Sequence, residues 1–308
     1  MFRSQTPPTH PTAGSPASPV RAEPRWRAPL LWRFVQAVAR AVVPLVCRLR
    51  VTGDVPVGTR DGPLILAGNH IGTFDPIALT AASRVRRISP RMMATGGLFR
   101  APVVGRLMRA AGHIPVDRGR ETVASAVPNA AEALEIGSVV FIYPEGRIGL
   151  DPAMWPERAK TGLARLALAT GVPVLPVATW GTHEVIAYHG RGAMIRTLIR
   201  CLWRRPLVRV HFGSPVDLSD LREGRVGDAQ RATDRIIDAL TAELLPLRRD
   251  ELRLPRHVDP TRPVSSARLH RSGRRAFSPP AGTDPGARLL TSEDPATAAL
   301  ARGWRPAG

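Results

Sequence analysis

A histidine and an aspartate five residues apart, His70 and Asp75, are the side chains in this sequence best suited to acid–base chemistry. They lie in the segment GNHIGTFDP at 68–76, directly after the apolar run LILA. An Asp followed by Pro76 is typical of a helix start, which places His70 in the preceding loop. If the loop folds back, the carboxylate meets one imidazole nitrogen and the other is free to take a proton from a hydroxyl. The spacing also fits a simpler interpretation, in which Asp75 only caps the helix and His70 only lines a turn.

Two further segments carry residues that suit a phosphate. GHIPVDR ends in Asp117 and Arg118, and YPEGR ends in Glu145, Gly146 and Arg147. Arginine suits a phosphate because its planar guanidinium group can bind two oxygens at once. In each segment the alternative is an ordinary surface ion pair at the end of a strand.

Apolar, β-rich runs alternate with helix-like stretches between residues 51 and 250. The runs lie at 64–67, 113–116, 138–142, 173–179 and 207–212. The helix-like stretches lie near 76–84, 97–111, 119–136, 157–170 and 227–245. This alternation predicts an α/β domain with a mostly parallel central sheet flanked by helices.

The candidate residues follow the carboxyl ends of the predicted strands, which share one edge of a parallel sheet where ligands bind. His70, Arg118 and Arg147 are therefore expected to converge on one crevice. Pro173 and Pro176 in GVPVLPVATWG indicate an edge or irregular strand that lines an apolar groove. Such a crevice suits a substrate with a hydroxyl, a phosphate and an alkyl chain.

The composition points to an anionic partner. The 308 residues include 44 basic and 25 acidic side chains, a formal charge of +19, which favours nucleic acid or an acidic membrane surface. Lys160 is the only lysine, so the arginine excess is typical of a GC-rich genome and says little about nucleic acid. Aromatic residues are only 5% and no nucleic-acid-binding motif is present, so no nucleic acid is expected. Two cysteines exclude a disulfide scaffold and a cysteine-based zinc site, and no metal is predicted.

The ends of the chain differ from its middle. Residues 1–24 and 256–308 are rich in proline and poor in large apolar side chains, which predicts disordered tails around a domain at 51–255. Residues 25–50 predict a basic amphipathic helix, with a narrow stripe of Arg33, Gln36, Arg40, Pro44 and Arg48 beside a wide apolar face. That helix either lies on an anionic membrane surface or packs on the protein's own core.

Four segments resemble, in order and spacing, the motifs of the glycerolipid acyltransferases, the family of glycerol-phosphate and lysophosphatidic acid acyltransferases. NHIGTFD matches the N-H-x4-D signature, and GHIPVDR, YPEGR and VPVLPV are similar to the second, third and fourth blocks, together covering roughly residues 64–182. The resemblance implies that His70 is the general base on the acceptor hydroxyl and that Asp75 orients it. It implies a glycerol-phosphate site made of Asp117, Arg118, Glu145, Gly146 and Arg147. It also implies an acyl pocket shaped by Pro173 and Pro176.

The resemblance implies transfer of an acyl group from acyl-CoA or acyl carrier protein, with no cofactor. The expected acceptor is 1-acyl-glycerol 3-phosphate and the expected product phosphatidic acid, made by a peripheral enzyme on the cytoplasmic face of the cell membrane. In the family's third block a threonine separates the glycine from the arginine, whereas Arg147 follows Gly146 directly and Ile148 comes next. Another lysophospholipid or a glycolipid hydroxyl is therefore an alternative acceptor. Lys160 is either a further cation for the substrate or a simple surface residue.

The sequence disfavours two other classes of protein. A non-catalytic basic protein that binds anionic lipid has no need of an N-H-x4-D segment beside E-G-R. An α/β serine hydrolase needs a G-x-S-x-G segment, which the sequence lacks. No motif surrounds Cys47 or Cys201, which argues against a cysteine nucleophile.

Overall fold

The structure, a computed structural model, describes residues 26–60, 62–116 and 123–269, with the backbone alone for 123–126. The predicted tail at 1–24 and the greater part of the predicted tail at 256–308 lie outside these ranges. So do Asp117 and Arg118.

Within the described ranges, seven strands form one sheet in the order β1-β7-β6-β2-β5-β3-β4. All neighbours are parallel except β6 and β7, which are antiparallel. The predicted mostly parallel sheet is thereby confirmed. The strands are β1 (Arg48–Gly53), β2 (Leu64–Gly68), β3 (Arg91–Thr95), β4 (Ile114–Val116), β5 (Val139–Ile142), β6 (Val174–Trp180) and β7 (Leu207–Phe212).

The described part of the chain holds eight α-helices that flank the sheet. They are α1 (Leu30–Val46), α2 (Asp75–Val85), α3 (Gly96–Arg100), α4 (Pro102–Ala110), α5 (Val123–Glu135), α6 (Gly162–Thr170), α7 (Arg191–Arg204) and α8 (Asp228–Leu244). None of the helices in these ranges is long and apolar enough to cross a membrane.

The alternation of side chains along β2 divides the core in two. Leu64 and Leu66 pack on one face of the sheet with residues of α1 and α2, whereas Ile65 and Ala67 pack on the other with residues of α5, α6 and α8. Successive side chains of a strand point to opposite faces, so an apolar run such as LILA predicts a strand covered on both sides.

Several element boundaries differ from the sequence-based expectation. The predicted helix at 25–50 is α1 followed by the strand β1, so Arg48 lies in the sheet and not in a helical stripe. The predicted helix at 97–111 is two helices, because the extended backbone of Ala101 separates them before Pro102. The strands β1 and β3 and the helix α7 were not predicted.

One face of α1 packs on the protein's own core, as one of the two alternatives for the N-terminal helix predicts. Trp32, Val43 and Val46 are buried against the core. Gln36, expected in the polar stripe, is also buried, where its amide donates to the Ile88 carbonyl at 2.9 Å and accepts from Ser89 at 2.8 Å. The opposite side of α1 is exposed and apolar. The exposed residues are Leu30, Leu31, Phe34, Val38, Val42 and Leu45.

The prediction of an edge strand at Pro173 and Pro176 is wrong. Pro173 is exposed just before β6, and Pro176 is a buried residue of β6, which lies between β7 and β2 in the sheet. The proline is tolerated because pairing with β7 begins at Val177, one residue later. The carbonyl of Pro176 still accepts a bond from the Gly213 N–H at 2.9 Å.

The predicted disordered tail does not begin at residue 256. Residues 256–269 pack against the loop that follows β5, with Arg262 buried at their centre. Its guanidinium donates to the carbonyls of Gly149 at 2.5 Å and Asp151 at 3.2 Å. Proline content suggested a disordered chain, but these buried hydrogen bonds hold the segment in place.

We expect Arg262→Ala to destabilise the protein by about 2–3 kcal/mol, because it leaves two buried carbonyls without their charged donor. Urea unfolding followed by circular dichroism measures this change. Arg256→Ala, an exposed arginine of the same segment, is the control and should stay within about 0.5 kcal/mol of the parent. Equal stability of the two variants would show that the segment contributes nothing to the fold.

Candidate active site

His70 and Asp75 meet at the carboxyl edge of the sheet. The loop after β2 turns back on the start of α2 and places His70 Nδ1 2.7 Å from Asp75 Oδ2. The other ring nitrogen, Nε2, has no hydrogen-bond partner among the described residues, and the ring borders a large cavity. One imidazole nitrogen is thus oriented by a carboxylate while the other is available to a substrate.

Asp75 is the acceptor at the centre of this loop. Its Oδ2 also accepts from the backbone N–H groups of Ile71 at 2.7 Å and Gly72 at 2.9 Å, and the Thr182 hydroxyl donates to its Oδ1. The interpretation of Asp75 as only a helix cap is wrong, because the carboxylate binds the preceding loop and the helix begins at Asp75 itself, with Phe74 at the cap position.

Tyr143 determines the plane of the histidine ring. The two rings are stacked, with centroids 4.0 Å apart and an angle of 14° between their planes. Phe141 contacts the other side of Tyr143 edge-on at 4.7 Å. Burial, and then the charge of Asp75, raise the pKa of Tyr143 well above its usual value, so this ring is a neutral wall beside the imidazole.

Glu145 has a different role from the predicted one. Its carboxyl group is buried and accepts from the backbone N–H groups of His70 at 3.1 Å and Glu157 at 3.0 Å. The group therefore joins two loops and does not face an anionic substrate. Burial raises the pKa of Glu145 to about 8, although both backbone donors favour its charged form.

Arg147 lines the cavity and is held there by Glu157. Its Nη2 lies 2.9 Å from Glu157 Oε2, while Glu157 Oε1 accepts from the N–H groups of Leu150 and Asp151. The Nε of Arg147 is buried and makes no hydrogen bond within the described part of the chain. Glu157 is buried and was not among the predicted residues, because its partners are contributed by a loop that no sequence pattern marks.

The cavity beside His70 has a volume of about 1140 Å³ and mainly apolar walls. Three cationic side chains, Arg147, Lys160 and Arg165, also line it. Gly146 borders it, and Val116, the residue before Asp117, does too. The expected acyl pocket at Pro173 and Pro176 lies elsewhere, because neither proline contacts the cavity. The apolar residues that line the cavity beside His70 include Trp32, Met92, Met93, Val127, Ile142, Leu163 and Leu166.

Asn69 joins the loop after β2, which carries His70, to the strand β6. Its side-chain amide donates to the Thr179 carbonyl at 2.9 Å and accepts from the Thr179 N–H at 2.7 Å. Both bonds are buried and join the end of β2 to β6. Among the described residues, no group of three His, Cys, Asp or Glu side chains is arranged to hold a metal ion.

Residues 48–180, which include β1 to β6 and the site, match the family model described as Acyltransferase. Over these residues the chain is similar to the acyltransferase family. It is 27% identical over 159 residues to a chloroplastic 1-acyl-sn-glycerol-3-phosphate acyltransferase of Brassica napus, covering 51% of this chain and 43% of the relative. It is 25% identical to the 1-acyl-sn-glycerol-3-phosphate acyltransferase of Haemophilus influenzae, covering 58% of this chain and 69% of the relative.

The fold of the chain is similar to that of a solved structure, the 1-acyl-sn-glycerophosphate acyltransferase of Thermotoga maritima. The TM-score is 0.51 at 21% identity, over 67% of this chain and 76% of that one. The chain spans about half the length of the chloroplastic relatives that it matches.

The buried carboxyl of Glu145 makes stability depend on pH. Its pKa is about 8 in the folded protein against an ordinary 4.5, so the folded state holds the proton more tightly. This contribution is fully present below about pH 4.5 and is lost as pH rises to about 8. We expect the free energy of unfolding to fall from pH 5 to pH 8, and Glu145→Gln to make that slope shallower.

Urea unfolding at several pH values tests this expectation. Glu145→Gln should be less stable than the parent near pH 5, because the amide NH2 faces a backbone donor and one hydrogen bond is lost, and this difference should narrow as pH rises. Glu135→Gln, which changes an exposed residue at the C-terminal end of α5, is the control and should keep the parental slope. An unchanged slope in Glu145→Gln would assign the pH dependence to another group.

Proposed function

We propose that the protein transfers a fatty acyl group from acyl-CoA or acyl carrier protein to the free hydroxyl of 1-acyl-glycerol 3-phosphate, giving phosphatidic acid. The observation that carries the proposal is the His70–Asp75 pair, with one imidazole nitrogen facing a large apolar cavity that also holds cationic side chains. The names of the relatives support the same acceptor.

The geometry supports direct transfer. Nε2 of His70 takes the proton from the acceptor hydroxyl as its oxygen attacks the thioester carbonyl. The tetrahedral intermediate then collapses to the ester and releases the thiolate of the donor, which takes the proton back from His70. Asp75 accepts from Nδ1–H throughout and stabilises the imidazolium that forms. No side chain forms an acyl-enzyme.

Different parts of the cavity lining suit the two ends of the acceptor, its phosphate and its acyl chain. Arg147, Lys160 and Arg165 are the described cations that would bind its phosphate, and the apolar walls would hold acyl chains. Arg118 is a further candidate for the phosphate, and its position lies outside the described residues.

A second acceptor follows from one observation, the attachment of Arg147 to Glu157. An arginine that gives one N–H to a buried carboxylate has fewer donors for a phosphate monoester. Another lysophospholipid or a glycolipid hydroxyl is therefore the alternative acceptor. A non-catalytic lipid-binding protein is disfavoured, because simple binding does not need a buried aspartate that orients a histidine.

We propose that the enzyme is peripheral, on the cytoplasmic face of the membrane, and that the exposed apolar side of α1 contacts anionic lipid. The helix has Phe34 65% and Leu45 59% exposed, and it carries Arg33 and Arg40 but no acidic residue. Such a helix lies in the interface with its apolar side chains among acyl chains and its arginines among headgroups. The lipid acceptor is then delivered at the surface to which the enzyme is bound.

We expect His70→Ala to lower acyl transfer about 10²–10⁴-fold, because the general base is lost. Purified protein is assayed against a panel of lysolipids with acyl-CoA and acyl carrier protein as donors. His189→Ala, an exposed histidine outside the cavity, is the control, and circular dichroism confirms folding. Near-parental turnover by His70→Ala would refute the mechanism, and activity on another lysolipid alone would select the second acceptor.

Arg147→Lys should not behave as a conservative change. Lysine keeps the charge but cannot give parallel N–H donors to a phosphate while it remains paired with Glu157. We expect a several-fold higher acceptor KM with the donor KM little changed. The exposed Arg158→Lys is the matched control. An unchanged acceptor KM would move the phosphate contact to Lys160, Arg165 or Arg118.

A further inference from the structure

The helix α7 has an unusual distribution of apolar residues. Cys201 is its one fully buried side chain, so the helix contributes little to the core. Its large apolar side chains point outward, with Trp203 76% and Ile195 59% exposed. Their spacing of three and four residues places them on one side of the helix. The exposed residues are Ile195, Leu198, Ile199, Leu202 and Trp203.

The polar residues of α7 are almost all cationic. Four arginines lie within its fourteen residues, all are exposed, and the helix contains no aspartate or glutamate. Arg196, Arg200 and Arg204 recur every fourth residue and form a stripe beside the apolar side. A helix that carries an apolar side, a basic stripe and a small buried face is suited to an anionic interface.

The helix α7 packs beside α1. The two helices contact each other, and Cys201 of α7 belongs to the same core cluster as Val43 and Val46 of α1. Trp32 of α1 lines the active-site cavity, and so does Tyr188, which lies three residues before the start of α7. An apolar substrate at these helices is therefore next to the cavity.

We propose that α7 and α1 together form one lipid-docking surface, made of their exposed apolar residues and arginines, which seats the protein on an anionic bilayer beside the cavity. The inference rests on the proposed membrane role of α1 and adds a second helix that the N-terminal segment does not include. Charge complementarity selects this occupant, because every charged residue of the two helices is an arginine. Trp203 suits the level of the headgroups, where tryptophan is enriched.

The test measures binding of full-length protein to vesicles of phosphatidylcholine with and without phosphatidylglycerol. One variant combines Leu202→Gln with Trp203→Gln, and another combines Arg196→Gln with Arg200→Gln. The matched control combines Arg225→Gln with Val226→Gln, an exposed pair in the loop before α8. A fourth variant, Phe34→Gln with Val38→Gln, tests α1 separately.

We expect both α7 variants to weaken binding to anionic vesicles at low salt about tenfold or more, and the control to bind like the parent. High salt should reduce the effect of the arginine variant and leave that of the apolar variant. Lipids brominated in the acyl chain should quench the fluorescence of the parent more than that of Trp203→Phe. Transfer to a short, detergent-dispersed acceptor should be unchanged in every α7 variant.

Weaker binding of the α1 variant with parental binding of both α7 variants would overturn this inference and keep the membrane role of α1. A change from dimer to monomer in the α7 variants, with vesicle binding unchanged, would overturn it in favour of a second copy of the chain. Because binding is measured without turnover, a lack of acyltransferase activity would contradict the proposed reaction and not the surface.

Discussion

The hydrogen bonds accepted by one buried carboxylate, that of Asp75, hold the site together. They come from the imidazole of His70, from the N–H groups of Ile71 and Gly72, and from the hydroxyl of Thr182. A carboxylate out of contact with water is costly unless its oxygens are satisfied by donors. The same bonds that satisfy Asp75 shape the loop and aim the histidine, so orientation of the base and stability of the loop have one physical origin.

The order of the strands brings those donors together. His70 follows β2, Glu145 follows β5 and Thr182 follows β6, and these three strands are neighbours at the centre of the sheet. Glu145 then ties the loop after β2 to the segment of Glu157 through two backbone N–H groups. The active site is thus assembled from loops whose strands are held in register by the sheet. The walls of the cavity come from the strands β3 and β5 and from helices on the flanks.

The surface chemistry is divided between the two exposed helices and the cavity. On α1 and α7 the buried side holds each helix to the core, while the remaining surface is apolar or basic with no acidic residue. Inside the cavity the cations are few and one of them, Arg147, is already paired. Under the proposed function, charge on the helices would act on an anionic bilayer with many headgroups, whereas charge in the cavity would act on the headgroup of a single substrate.

The sequence alone determined the α/β class and the histidine–aspartate pair. Both depend on local information: apolar runs of strand length recur between helix-like stretches, and His70 and Asp75 are close enough along the chain for one loop to join them. Five of the seven described strands and the helices α2 and α8 lie where the pattern predicts them. The exposed apolar side of α1 also follows from its spacing.

Only the tertiary structure decided the partners of that pair and the position of the cavity. Thr182 and Glu157 reach the site from distant parts of the chain, and Arg262 binds the loop after β5 from a segment whose prolines suggested disorder. Pro176 looked like an edge residue, yet it is interior because its missing N–H falls just before pairing with β7 begins. Local spacing specifies contacts within a loop or a helix. Contacts between loops depend on strand order, which no local pattern encodes.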